Sequence, residues 1–516
     1  MIRNFLCLKQ KRTLFLLIIS LIIFFFYYNI HLKSQQQQLF IPRLRINHEK
    51  LLNQNLTFKK VSIAYYTTSY LIRTDSHTKI FNKNLEEICE ILDPEDYPLA
   101  DSVFVNIVDF TRFPKSYRHL HQSQLWIFHS EESPRNSYRT VNMKNIVELD
   151  DWFNLTSTFR PESDFHIKYR GYRIKPNIGK LLQVKLNINL NQTIYSTSDI
   201  FHNTSSIYLN TLSSILHREL LNRQNVLLNI CPYTCNQPLP SHAIQALQPY
   251  LNEIKPKVLN RNIVYIAWFV SNCDTHSRRE DYVNKLRSQK GIHIDIYGNC
   301  KSMYHSHIIP IQCQKGTPNC TEKTISNYRF YLSFENSKCD TYITEKYWIQ
   351  GTNGYAIPIV LGAKKEQYER IVVPNSYIHV DDFLTVEDLA NELHRLNQND
   401  TEFMKYLQWT QLYDVSVDYS PASIIDMHST LCFLGHYQYL HSMKEENQQI
   451  TYGMKTIRNI FHMTNMHLSN FNWTTAKTNL IRISQFYNPT VNCWDMDYPS
   501  ILKQIYNHLF TWWKLF

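Results

Sequence analysis

Short apolar runs rich in β-branched residues recur along the first part of the chain. Val61-Ser62-Ile63-Ala64-Tyr65-Tyr66, Ser102-Val103-Phe104-Val105-Asn106-Ile107-Val108 and Leu125-Trp126-Ile127-Phe128 stand at helix-length intervals. Near-continuous apolar character, rather than alternation, predicts strands covered on both faces, hence a parallel sheet. A second set follows at 262–268, 292–298, 330–334 and 356–362. A helix is expected from about Thr344, with Thr344 as its N-cap. Strand, helix, strand in that order is a βαβ crossover, which opens ligand sites at the carboxyl ends of its strands. Residues 387–397 read as a surface helix. The pattern therefore gives two α/β units, 61–256 and 257–440. The stretch 174–256, rich in Asn, Leu and Ile, is an insertion in the first, and the Asn- and aromatic-rich residues 441–516 find no place.

The N-terminus carries a different pattern. Residues 13–30 form an apolar run of 18 residues, about 27 Å as a helix against a hydrocarbon core of roughly 30 Å. Arg3, Lys9, Lys11 and Arg12 precede it and Lys33 alone follows closely, which leaves residues 1–12 cytosolic and the body luminal. Phe24-Phe25-Phe26-Tyr27-Tyr28 stands where a signal peptidase needs small residues, so an uncleaved anchor is expected. Residues 31–60, with Gln35 to Gln38, read as a stem.

Composition fits a luminal body. Asn-x-Ser/Thr sequons begin at Asn55, Asn154, Asn191, Asn203, Asn319, Asn399 and Asn472. Ten of the 11 cysteines follow the anchor, an even set that an oxidising compartment can pair. Cys231 and Cys235 lack the second ligand pair of a zinc site, which favours a structural disulfide, local or to other cysteines. The net charge of +10 is spread along the chain. Without a basic stripe it argues against nucleic acid and fits a phosphate-bearing ligand.

The chemistry concentrates in YRFYLSFENSKCDTYITEKYWIQGTNGYAIPIVLGA, residues 328–363. Glu335 and Asn336 fall at the end of a buried strand. The expected helix start beside them would offer free N–H groups to a diphosphate, with Lys346 adding a full charge. A solvated lysine at a helix start accounts for the same residues, so the diphosphate reading waits on further evidence.

That evidence is a resemblance. The segment resembles the signature of the α1,3-fucosyltransferases through Phe334-Glu335-Asn336-Ser337, Tyr342-Ile343-Thr344-Glu345-Lys346 and Ile357-Pro358-Ile359-Val360-Leu361-Gly362. It continues at Tyr377-Ile378-His379-Val380-Asp381-Asp382-Phe383 and Trp409. Upstream, Tyr97-Pro98-Leu99-Ala100-Asp101-Ser102, Glu132-Ser133-Pro134, and Phe153-Asn154-Leu155-Thr156 with Arg160 and Ser163-Asp164 are similar to the family's first-domain blocks. Cys300, Cys313, Cys320 and Cys339 resemble the cysteines of invertebrate and core-type branches.

The resemblance implies a GT-B fold, two Rossmann-like domains facing a cleft, in a single-pass Golgi membrane enzyme. It implies inverting transfer of L-fucose from GDP-β-L-fucose to a glycoprotein glycan, at O3 of GlcNAc, with no metal and no other cofactor; N-acetyllactosamine, chitobiose-core GlcNAc and a protein hydroxyl stay open as acceptors. Asn336, Tyr342 and Lys346 would line the donor site, and Arg278, chosen over Arg279, would grip the phosphates. Glu132, chosen over Glu131, would be the catalytic base. Glu345 has two readings: it offsets charge building on the sugar, or it caps its helix.

Tyr169-Arg170-Gly171 departs from the family's Pro-Tyr-Gly on the acceptor side. Two rival readings stand beside the enzyme. Asp495-Met496-Asp497 has the form of a metal-dependent transferase motif, though an incidental surface pair explains it as well. His119/His121 and His305/His307 are half metal sites at most. The other rival is an inactive, membrane-anchored carbohydrate-binding protein on the same fold.

Overall fold

The computed structural model describes residues 60–66, 85–110, 124–138, 149–188 apart from 168, 207–230, 236–252, 263–300, 320–416 apart from 354–355, 427–442, 448–462 and 492–494. The expected tail, anchor and stem, up to residue 59, lie outside these, as do Cys231 and Cys235. Among the described residues no helix is long and apolar enough to cross a membrane. All described elements belong to one compact unit, Phe58–Phe516.

The chain builds two parallel sheets. The first comprises β1 (Val61–Tyr65), β2 (Cys89–Ile91), β3 (Ser102–Asn106), β4 (Leu125–Ser130), β5 (Leu155–Thr158) and β6 (Phe165–His166), ordered β2-β1-β3-β4-β5-β6. After β7 (Gly171–Ile174) come β8 (Val264–Phe269), β9 (Ile292–Tyr297), β10 (Phe330–Phe334), the two-residue β11 (Lys338–Cys339), β12 (Ile357–Leu361) and β13 (Ile378–His379). The second sheet runs β13-β12-β10-β8-β9. Two short antiparallel pairs complete the topology: β14 (Tyr413–Ser416) with β7, and β15 (Cys493–Trp494) with β11.

The runs read from sequence become β1, β3, β4, β8, β9, β10 and β12. Every residue of β1, β4, β10 and β12 is buried, which is why their sequences do not alternate. In the second sheet β9 lies on one side of β8 and β10 on the other. The strand order therefore reverses at β8, and the loops after β8 and β10 meet at the switch point. Gly298 ends β9 at φ +93°, and a Cβ there would stand 2.4 Å from the Val270 carbonyl oxygen, so only glycine fits.

Among the described residues, the α-helices of nine residues or more are α1 (Pro176–Lys185), α2 (Ile207–Ile230), α3 (Arg279–Arg287), α4 (Val386–Gln398), α5 (Met427–Ser442) and α6 (Gln448–His462). The expected surface helix at 387–397 is α4. Thr385 caps it by accepting from the Asp388 N–H, while the Asp388 carboxylate takes the Thr385 N–H in return. The 174–256 stretch divides between two cores. Tyr208, Leu212, Leu216 and Leu220 recur every four residues on α2 and pack on the first sheet. Ile178 and Leu182 of α1 instead join Tyr347, Trp348 and Tyr368.

The chain's return falls earlier than the expected boundary at 440. α5 leaves the second unit and places Leu431, Phe433, Leu434, Tyr437 and Leu440 against β1 and α2, with α6 beside it. Cys432 of α5 is bonded to Cys89 of β2 across 343 residues. His436 pins the same helix: Tyr208 Oη–H donates to Nδ1 (2.9 Å), and Nε2–H donates to the Ile88 carbonyl (3.0 Å). Burial lowers this imidazole to about 4, so it stays neutral. Every side chain described on α5 is buried or half-buried, so its apolar residues mark no single face.

Phe433→Ala should destabilise the protein by about 3–5 kcal/mol, the cost of emptying a fully buried aromatic site. Urea unfolding checks it, and a loss below about 1 kcal/mol would mean that α5 does not support the first sheet.

Candidate active site

β10 ends at Phe334 and carries the next side chain, Glu335, into the interior, where it is fully buried. A carboxylate without water needs donors or a cation. Glu335 has both. The Thr344 N–H donates to Oε1 at 2.8 Å and the Thr344 hydroxyl at 3.0 Å, while Lys346 Nζ stands 3.2 Å from Oε2. Burial pushes the Glu335 carboxyl up, and the Lys346 cation works against that rise. Gly362, at the end of β12, makes room: a Cβ there would meet Glu335 Cγ at 2.7 Å.

Thr344 keeps the capping place read for it while it binds Glu335: its hydroxyl oxygen accepts from the Lys346 N–H at 3.4 Å, and its carbonyl accepts from the N–H groups of Tyr347 (3.1 Å) and Trp348 (3.0 Å). What it caps is not an ordinary α-helix but a single π-helical turn, Lys346–Gln350, with Glu345 before it. The turn is too short for the aligned dipole expected of an α-helix, so positive charge here comes from Lys346 itself. Lys346 Nζ also donates to Glu345 Oε1 and Thr344 Oγ1, both at 3.0 Å. Burial pulls the ammonium down, but Glu335 and Glu345 outweigh it and hold the group above the usual lysine value. Burial likewise pushes Glu345 up, yet Lys346 holds it below the usual carboxylate range.

The first sheet meets this cluster from the other side. Glu132 follows β4 by two residues, and Tyr342 Oη–H donates to its Oε2 at 3.0 Å. Ser133 Oγ–H donates to Ser337 Oγ at 2.9 Å. Tyr342 is fully buried among Trp126, Phe128 and Phe159, its ring edge-on to Phe159 at 4.9 Å. Burial raises its phenol well above the ordinary value, followed by Tyr169 and the Glu132, Glu335 and Glu345 carboxylates. Tyr342 thus stays protonated as a donor to Glu132, with the carboxylates of Glu335 and Glu345 within electrostatic reach.

Arg278 and Arg279 part company. Arg278 adopts φ 50°, is largely exposed and pairs with Asp281 at 2.6 Å. Arg279 is buried and donates to the carbonyls of Phe334 (2.6 Å) and Asn272 (2.9 Å), bracing the ends of β8 and β10. Arg279 acts electrostatically on Lys346. The Asn336 carbonyl accepts from the Ser277 N–H at 3.1 Å. Its side-chain Oδ1 is buried with no hydrogen-bond partner among the described residues, an acceptor of the kind a ligand hydroxyl or amine satisfies.

The structure thus gathers Glu132, Tyr342, Glu345 and Lys346, and holds Asn336 and Arg278 in the loops after β10 and β8. Sequence reasoning missed two members. Glu335 reads from sequence only as a strand-end residue. Tyr169 donates to the Glu131 carbonyl at 3.1 Å and lies within reach of Glu345, Glu132, Glu335 and Glu131. Its only signal is the unusual Tyr169-Arg170-Gly171. Asp495 and Asp497, His119/His121 and His305/His307 lie outside the described residues. Among those described, Cys89, Cys432 and His436 group as metal-ligand types. The sulfurs form a disulfide and both imidazole nitrogens are bonded, so the cluster offers no ready ligand set.

Two family models match: "Glycosyltransferase family 10 (fucosyltransferase) C-term" over residues 259–459, and "Fucosyltransferase, N-terminal" over 58–170. The chain is 43% identical over 149 residues to alpha-(1,3)-fucosyltransferase fut-1 of Caenorhabditis elegans, covering 29% of this chain and 32% of that one. It is 41% identical over 145 residues to glycoprotein 3-alpha-L-fucosyltransferase A of Drosophila melanogaster, covering 28% and 27%. The matches thus span about a third or less of these two relatives. A crystal structure of an alpha1,3-fucosyltransferase is similar over 69% of this chain and 83% of that one, at 14% identity and TM-score 0.35.

Glu335→Ala should cost about 3–5 kcal/mol of stability, because it strands a buried ammonium. Glu345→Gln, on the more exposed side of the same lysine, should cost no more than about 1 kcal/mol. Parallel denaturant titrations test this, and equal losses would refute the anchoring role of Glu335.

Proposed function

Because this chain belongs to glycosyltransferase family 10, the fucosyltransferases, we propose that it transfers L-fucose from GDP-β-L-fucose to a hydroxyl of a glycoprotein glycan with inversion, forming an α1,3-linkage. One observation carries the reading: the Tyr342–Glu132 hydrogen bond, 3.0 Å long, joins the loop after β10 to a carboxylate after β4. It supports a GT-B arrangement, in which the carboxyl ends of two parallel sheets meet around the ligand. The two invertebrate relatives are named for fucosyl transfer, one of them for α1,3 transfer and the other for a glycoprotein acceptor. O3 of GlcNAc is the acceptor atom we assign.

The chemistry asks for a proton acceptor on one side and positive charge on the other. Glu132 takes the acceptor hydroxyl proton as that oxygen bonds to fucose C1. The bond from C1 to the diphosphate breaks on the opposite face, which inverts the centre. Lys346 and Arg278 receive the charge of the departing GDP. Lys346 suits this role because Glu335 and Glu345 keep it charged although it is largely buried. The open Oδ1 of Asn336 is an acceptor for a donor hydroxyl. Glu345 offsets positive charge developing on the sugar and holds Lys346 in place. No step in this scheme calls for a metal, and we expect turnover in EDTA. In the same reading residues 13–30 anchor the chain in the Golgi membrane, with its body in the lumen.

Glu132→Gln should keep GDP-fucose binding within about twofold and lower transfer by about 10²–10⁴-fold, since only the proton acceptor is removed. Lys346→Ala should weaken GDP binding itself. Calorimetry with GDP and transfer assays on an array of GlcNAc-containing glycans read both effects. A fully active Glu132→Gln would refute the base assignment, and binding without transfer in the wild-type protein would favour a carbohydrate-binding role.

A further inference from the structure

The position of Tyr342 depends on a turn with an awkward backbone. The Tyr342 N–H donates to the Cys339 carbonyl at 3.2 Å, closing a turn through Asp340 and Thr341. Thr341 sits at φ 58°, in the left-handed region that a β-branched residue seldom adopts. Such a conformation persists only where its surroundings impose it. On one side Gln367 does so, accepting from the Thr341 N–H at 2.9 Å and donating to Asp340 Oδ1 at 3.0 Å.

The other side is held by the far end of the chain. Cys493 is bonded to Cys339 across 154 residues. β15 pairs with β11 in the register Lys338↔Trp494 and Cys339↔Cys493. The Asp340 N–H donates to the Asn492 carbonyl at 2.8 Å. Cys339, Cys493 and Tyr342 are buried together in the core of the first sheet, beside Trp126 and Phe128. Three residues from the tail therefore grip the turn from which Tyr342 reaches Glu132.

We propose that residues 492–494 are a positioning element of the active site. By bonding Cys339 and pairing with β11 they hold the left-handed turn at Thr341, which keeps the Tyr342 hydroxyl on Glu132. The C-terminal segment thereby sets the acceptor-side carboxylate. The catalytic consequence rests on the fucosyltransferase reading, whereas the structural one does not.

The test compares the full-length protein with Cys339→Ser/Cys493→Ser, which removes both sulfurs and leaves no stray thiol. Amide exchange in peptides covering 339–346 should quicken by about tenfold or more, with 264–297 unchanged. Unchanged exchange at 339–346 overturns the inference whether or not the protein is an enzyme. Where the wild type transfers fucose, kcat should fall by about 10–100-fold through misplacement of the base, with KM for GDP-fucose within about twofold. In a Tyr342→Phe background the same double substitution should cost less than about threefold, because the contact it protects is already gone. An equal loss in both backgrounds would mark a general structural effect and refute positioning. Adding Thr341→Gly to the double variant gives the turn a residue at ease with positive φ. It should restore folding, exchange protection and most of kcat, and no restoration counts against the proposal. A wild type that transfers no fucose defeats the functional reading alone and leaves the exchange result to decide this one.

Discussion

A carboxylate with no exposure to water sets the terms for the rest of the site. Ionised, Glu335 would be costly to bury unless its lone pairs were met and its charge balanced. Thr344 and Lys346 do this from nine and eleven residues further on. Residues 336–343 are thereby forced into a closed loop. That loop carries Asn336, Ser337, Cys339 and Tyr342. Its closure also dictates glycine at 362, since β12 must end within van der Waals reach of the Glu335 side chain. One buried charge thus explains the spacing of a motif that otherwise reads as a string of unrelated residues.

The loop's contacts with the first sheet are of two kinds, and they do different work. Ser133 with Ser337, and Tyr342 with Glu132, are hydroxyl bonds that fix direction. The first contributes about 1 kcal/mol net and the second, made to a carboxylate, about 1.5–3 kcal/mol. Packing of the Tyr342 ring and the Cys339–Cys493 bridge among Trp126, Phe128 and Phe159 supplies most of the affinity between the parts. A tyrosine serves both purposes, with an apolar body and a polar tip.

What the sequence disclosed is explained by the same physics. Strands covered on both faces announce themselves as unbroken apolar runs, so β1, β3, β4, β8, β9, β10 and β12 were legible. α4, amphipathic and capped by Thr385 and Asp388, was legible too. Thr344 was legible as an N-cap from its place before Glu-Lys, but only the fold reveals the carboxylate that its hydroxyl also binds. Glu335 and Tyr169 escaped because their roles are made by neighbours distant in sequence. α5 escaped for the opposite reason: its described side chains are all buried or half-buried, so apolar and polar residues do not sort onto two faces and betray no period.

The C-terminal part of the chain, part of which found no place in the sequence pattern, ties the molecule together at two places. Cys432 binds the edge strand β2 and Cys493 binds the signature loop. In the chain-entropy view, cross-links over 343 and 154 residues each restrict the unfolded chain by on the order of 5 kcal/mol. The two loops overlap between residues 339 and 432, so these contributions do not simply add. Their placement matters more than their sum. One bridge fastens the returning helix to the outer edge of the first sheet, far along the strand order from β4. The other acts at Cys339, three residues from the side chain that touches Glu132.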